Sequence, residues 1–176
     1  MGKKQFEVFL NSKALEKKRE RPIDWNATKR EWLASLEAFY HEIEQWLAEY
    51  TASGKIEIER SEILLEEEQL GKYRAEMRVL KIGTDRVILR PIGTLLIAAC
   101  GRVDMEGPKG TVKFILTGKN STGVKISFSD GTSRGDEKAQ RREELVWKIA
   151  TPPPGVQFFE LTPDSFFDAL MKIVNG

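Results

Sequence analysis

One cysteine and one histidine are all this sequence offers for thiol, imidazole or soft-metal chemistry. A lone thiol, Cys100, closes no internal disulfide, which suits a reducing compartment. Its neighbours in "LLIAACG" read as a buried strand, so a protonated, inert core thiol is expected. His41 sits in "ExxxHxxE" with Glu37 and Glu44, a spacing that places three possible ligands on one helical face. Zinc sites normally draw on more histidine or cysteine than this, so a solvated helix face is the expectation and no cofactor is implied. A catalytic triad needs a base, usually His, and Cys100 with His41 is the only thiol–imidazole pair.

Charge of one sign is lacking too. The formal net charge is +1 over 176 residues, so no global field draws the chain to nucleic acid or membrane. No apolar run approaches the roughly 18–20 residues needed to span a bilayer. "MGKKQFEVFL" has neither the apolar core nor the cleavage site of a secretory signal. Gly2 invites myristoylation, but Phe6 occupies the place of the required hydroxyl. Asn26-Ala27-Thr28 spells a glycosylation acceptor that means nothing without export. The cytoplasm is the expected location.

A phosphate-binding loop is also missing. "GKNSTG" (118–123) carries the right residue types, but Lys113 stands where the first glycine belongs and Asn120 where the magnesium-binding hydroxyl belongs. The alternating "VKISFS" that follows reads as a strand rather than a helix. The stretch reads as a hairpin loop, with Asn120 and the glycines supplying positive φ. The residues from Gly101 to Thr111 fail by the same spacing test.

What is present is periodicity. Residues 1–22 form a basic arm whose alternating Phe6, Val8 and Leu10 could make one short strand, with a short helix or arm after it. Residues 23–176 read as one domain. It opens with a long amphipathic helix ending at Gly54, where a left-handed residue stops a helix cheaply. Thr28 with Glu31 has the spacing of a capping box, and Asp24 is an earlier alternative cap. Trp25, Trp32, Phe39 and Trp46 repeat by sevens, as do Leu36, Ile43 and Tyr50, and Leu33, Tyr40 and Leu47. This apolar stripe is wider than a two-stranded coiled-coil seam.

From Lys55 onward the period falls to two. "KYRAEMRV" places Tyr73, Ala75, Met77 and Val79 on one face and Lys72, Arg74, Glu76 and Arg78 on the other. Further strands follow, separated by Gly83-Thr84-Asp85, Gly107-Pro108-Lys109-Gly110, "GKNSTG" and Pro152-Pro153-Pro154-Gly155. Separators this short favour antiparallel hairpins. A second helix closes the chain, with Thr162 as cap and Pro163 as first residue. The expected fold is α+β: a long N-terminal amphipathic helix and a C-terminal helix packed on an antiparallel meander of about seven or eight strands.

The first helix, about 36 Å long from Thr28, exceeds the roughly 29 Å width of six strands. A stripe overhanging the sheet would expose aromatics, so a homodimer using Trp25, Trp32 and Tyr50 is expected. Acidic residues crowd the first strand (Glu57, Glu59, Glu62, Glu66, Glu67) and cations the next (Lys72, Arg74, Arg78, Lys81). Facing charges across one ladder explain this more simply than an open basic patch. "SDGTSRGDEKAQRRE" (129–143) is long and polar enough to act as a contact loop.

The leading functional expectation is a non-enzymatic binding or protein-interaction module. The alternative is an anion- or nucleic-acid-binding protein using Arg86, Arg90 and Arg102 with the loop cations Arg134, Lys138, Arg141 and Arg142. A third is a metal-assisted hydrolase using the loop aspartates Asp104, Asp130 and Asp136.

Overall fold

The period-two stretches pair in strict chain order. In the computed structural model of the chain, residues 2–19, 24–94, 100–121 and 144–176 are described. They contain a seven-stranded sheet of order β1-β2-β3-β4-β5-β6-β7, antiparallel at every step. The strands are β1 (Ile56–Glu67), β2 (Gly71–Ile82), β3 (Asp85–Gly93), β4 (Gly101–Gly107), β5 (Gly110–Gly118), β6 (Leu145–Ala150) and β7 (Phe158–Glu160). The helices are α1 (Lys3–Arg19), α2 (Trp25–Trp46), α3 (Ala48–Ala52) and α4 (Pro163–Asn175). The α+β meander expected from the sequence is the observed fold. "VKISFS" and the whole polar 129–143 segment lie outside the described residues.

Local chemistry sets the helix limits. Asp24, not Thr28, caps α2: its carboxylate accepts from Ala27 N at 3.1 Å. Thr28 already lies inside the helix, and its hydroxyl donates back to the Asp24 carbonyl. Gly54, at φ 76°, ends the run after α3, as a left-handed stop should. Thr162 and Ser165 form a reciprocal capping box on α4, with Pro163 in the first turn.

The arm is a helix, not a strand. Residues 3–19 are helical, because Phe6, Phe9 and Leu10 recur at helical spacing and the alternation of Phe6, Val8 and Leu10 ignored Phe9. A strand here would also have needed a neighbour to pair with.

The core lies between one face of the sheet and α2 with α4. Trp32, Leu36, Phe39, Tyr40, Ile43 and Leu47 from the helical run meet Leu80, Val87, Leu89, Val103, Met105 and Phe114 from the strands. An aromatic chain runs through it: Trp32 to Trp147, Trp147 to Phe39 at 4.5 Å, Phe39 to Phe114, and Phe114 to Phe166 of α4. The stripe predicted to overhang is therefore largely covered within the chain.

One strand departs from simple alternation. Tyr73 and Ala75 of β2 reach the core, but so do Arg78 and Leu80, which alternation assigns to the opposite face. The paired strand changes in step: Ile56 and Ile58, then Ile63 and Leu65, pack on the core, with no register slip anywhere from Ile56↔Ile82 to Glu67↔Gly71. Only Arg78–Ile82 of β2 pair with β3. Among the described residues the rest of the hairpin is a two-stranded ribbon, which twists more than strands held in a wide sheet. It coils until its other face meets the core, and its tip reaches the end of β3 through Glu67 and Thr94. Arg78 is thus corrected from the solvent face to the helix side.

Candidate functional site

Three clusters of polar side chains and one apolar surface are candidates. The first is the sheet face away from the helices. Arg90 lies directly opposite Asp104, which lies opposite Lys113, and Arg102 precedes Asp104 on the same face. The arginines are matched by carboxylates. Arg102 donates a fork to Asp104 at 2.6 and 2.7 Å, and Arg90 a fork to Glu106 at 3.2 and 3.3 Å. Arg86 approaches Glu59 at 3.9 Å, and Lys81 holds the same carboxylate at 2.5 Å. The Lys81 hydrogen bond, aided by the charges of Lys81 and Arg86, lowers the Glu59 pKa; the same bond raises that of Lys81. Sequence reasoning brought Arg86, Arg90 and Arg102 to one face, and the geometry gives each a partner. Arg134, Lys138, Arg141 and Arg142 lie outside the described residues, as do Asp130 and Asp136.

Charges also meet along the β1–β2 ladder. Glu57 faces Lys81 and Glu66 faces Lys72 directly, and Arg74 reaches Glu62 diagonally at 3.3 Å. Two like pairs interrupt this pattern, Glu62 opposite Glu76 and Arg60 opposite Arg78. The arginine pair is held from above by α2: Glu44 Oε1 accepts from Arg78 Nε at 2.9 Å and Oε2 from Arg60 at 3.2 Å. Arg78 also donates to Glu76 at 2.9 Å and lies over the Tyr40 ring at 4.4 Å. Burial works against its charge, but the bonds to Glu44 and Glu76 prevail and raise its pKa. The Tyr40 hydroxyl donates to the Glu76 carbonyl at 2.8 Å, and burial raises its pKa. This second cluster joins helix to sheet, with each of its charged groups already paired.

The third cluster ties down the ribbon tip. Glu67 accepts from the Tyr73 hydroxyl, from Thr94 N at 2.9 Å and from the Thr94 hydroxyl at 2.5 Å. Burial first, then the bond to Glu67 and its charge, pushes the Tyr73 pKa up. The buried Trp32 indole lies beside this phenol, close enough to oppose the rise without meeting hydrogen-bond geometry. Two glycines make the room. A Cβ at Gly93, where φ is 131°, would meet the Glu67 carboxylate at 2.8 Å, and one at Gly101 would meet the Trp32 ring at 2.3 Å. A carboxylate already accepting from three donors has little capacity left for a substrate, so the cluster reads as a clasp. Alternation alone gave no sign of it, because its members come from four separate elements.

Among the described residues, no group of three or more His, Cys, Asp or Glu side chains is arranged to hold a metal. His41 is exposed and contacts Gln45 at 3.1 Å. Cys100 is exposed at the bend before β4, a correction to the buried thiol expected from its neighbours. Its backbone N–H donates to Leu116 at 2.7 Å, so the strand ladder begins here while the side chain points out. No helix among the described residues is long and apolar enough to cross a membrane.

The apolar surface is α1. Among the described residues, eight large apolar side chains are exposed, and four of them, Phe6, Val8, Phe9 and Leu10, fall within five consecutive positions of this helix. The others, Leu64, Leu145, Phe159 and Met171, are scattered singly, which is ordinary for a protein surface. Phe6 and Phe9 stack on each other at 6.3 Å. Of the residues expected at a homodimer interface, Trp32 is 2% exposed inside the chain's own core, Tyr50 packs edge-on against Phe167, and Trp25 is half-buried.

Comparison with protein-family models, with curated proteins and with solved structures finds no match for this chain.

Proposed function

We propose that this chain is a non-enzymatic protein-interaction module of the cytoplasm and that α1 is its contact element. The observation that carries this reading is the cluster of Phe6, Val8, Phe9 and Leu10, between 48% and 69% exposed, on a helix that no other element packs against extensively. A 17-residue helix with so little packing against the other described elements is marginal in water. Its apolar side chains gain their cover, and the helix its stability, when a partner is bound. The sheet and α2 with α4 then serve as the scaffold, since their core is filled from within.

The partnered state of Arg86, Arg90 and Arg102 supports this reading over an anion site, which needs cations open to phosphate. The fork from Arg102 to Asp104 likewise supports it over metal-assisted hydrolysis.

The test is site-specific photo-crosslinking in cells. A photoreactive phenylalanine analogue in place of Phe9 should capture a defined protein, and one in place of exposed Lys72 on β2 should not. Equal, diffuse capture at both positions would refute the role given to α1.

A further inference from the structure

We infer that α1 docks on the outward face of α2 in a second copy of this chain, the two copies exchanging helices about a two-fold axis. This rests on α1 being the contact element and names what covers it. Both surfaces belong to the same chain, and both are exposed among its described residues. Phe6, Phe9, Leu10 and Lys13 recur at i, i+3, i+4 and i+7, so they share one side of α1. On α2 the exposed line is Ala34, Ala38, His41 and Gln45, with Glu31 and Glu42 along one flank and Glu37 along the other. Two alanines one turn apart leave a shallow trough in which aromatic rings can approach the helix backbone.

Charge decides the occupant. The described side chains of α1 carry Lys3, Lys4 and Lys13 against Glu7. The outward face of α2 carries Glu31, Glu37 and Glu42 against Arg30. A basic helix with a short apolar face therefore meets an acidic helix with a small-residue centre. The alternative of pairing one α1 with another sets lysines against lysines. Pairing β1 with β1, an edge strand among the described residues, would bring together two strands that each carry Glu57, Glu59, Glu62 and Glu66, the pattern by which edge strands resist self-pairing. The lengths agree as well: the 17 residues of α1 span about 26 Å and the 22 of α2 about 33 Å, so the first helix fits along the second. Exchange about a two-fold axis makes the contact twice, because each copy supplies one arm and one receiving face.

The test uses the full-length chain. At about 100 µM, a concentration suited to a weak two-helix contact, most of it should sediment as a dimer. Lys3→Glu with Lys4→Glu and Lys13→Glu should give a monomer, and so should Glu31→Lys with Glu37→Lys and Glu42→Lys. Mixing these two variants should restore a dimer. On a Cys100→Ser background, Phe9→Cys chains mixed with Ala38→Cys chains should form a disulfide between molecules. Unchanged melting temperatures in the variants would show that they still fold. A monomeric wild type, a dimer indifferent to both reversals, or no disulfide in the mixture overturns the inference. Specific capture of another protein through Phe9 by a monomeric chain would overturn it while leaving the interaction reading in place. Loss of both capture and dimer would end both.

Discussion

Arg78 is the buried partner of its own ion pairs, and this gives a prediction with a definite sign. Its side chain is 4% exposed, whereas those of Glu44 and Glu76 are 23% and 54% exposed. Glu44→Gln with Glu76→Gln leaves the guanidinium buried with amide oxygens, the Met77 carbonyl and the Tyr40 ring for company. Stranding a buried charge costs about 3–5 kcal/mol when nothing compensates. The remaining amide bonds and the ring reduce this to about 2–3 kcal/mol. Arg78→Met is milder. The thioether fills the volume of the arginine stem, Glu76 turns to water, and Glu44 keeps Arg60. The loss is about 1 kcal/mol for the cation–ring contact and the net hydrogen bonds. On the Arg78→Met background the two glutamine substitutions should cost close to nothing, so the cycle should show a coupling of about 2 kcal/mol. Urea denaturation, with unchanged slopes as the check on two-state unfolding, measures all four proteins. The reasoning is refuted if Arg78→Met costs as much as the paired glutamine substitutions, or if those substitutions cost the same with and without Arg78.

Gly101→Ala should destabilise by about 1–3 kcal/mol through overpacking, because the new methyl would lie 2.3–2.4 Å from Trp32 ring carbons. Thermal melts and altered tryptophan fluorescence would register it, and an unchanged melt would mean that Trp32 moves freely. Tyr40 and Tyr73 have pKa values raised by burial, with Glu67 adding to the rise at Tyr73. A raised folded-state pKa means that their stabilisation is complete below the unfolded tyrosine range and is lost as pH climbs through the folded values. Stability should therefore fall above about pH 10, and Tyr40→Phe with Tyr73→Phe should flatten that fall; an equally steep loss in the variant would place the cause elsewhere.

Much of the architecture was legible because it rests on local periodicity. Gly54, Thr162 and Pro163 mark helix ends through their own backbone chemistry. The strands from Lys55 onward alternate, and their short turns leave only antiparallel neighbours. Phe6, Val8 and Leu10 misled because a three-residue alternation is weak when Phe9 beside them completes a helical set. Cys100 misled because apolar neighbours in sequence do not bury a side chain at a bend. The expected interface of Trp25, Trp32 and Tyr50 rested on an overhang that the core largely fills from within, through Trp147 and Phe167.

The sequence by itself determined the class, the order and the antiparallel sense of the elements, since each follows from residues close together in the chain. It also determined that acidic and basic strands would be neighbours. Only the tertiary structure decided which face of the β1–β2 ribbon meets the core. The ribbon extends past β3, and its accumulated twist exchanges the two faces between Ala75 and Arg78. Twist is a property of pairing and of the free length beyond the neighbouring strand, and neither is written in any single stretch of residues. That exchange turns Arg78 towards Glu44 and Tyr40 and brings Glu67 to Thr94. It fills the core from within and leaves the helix Lys3–Arg19 as the apolar surface still to be covered.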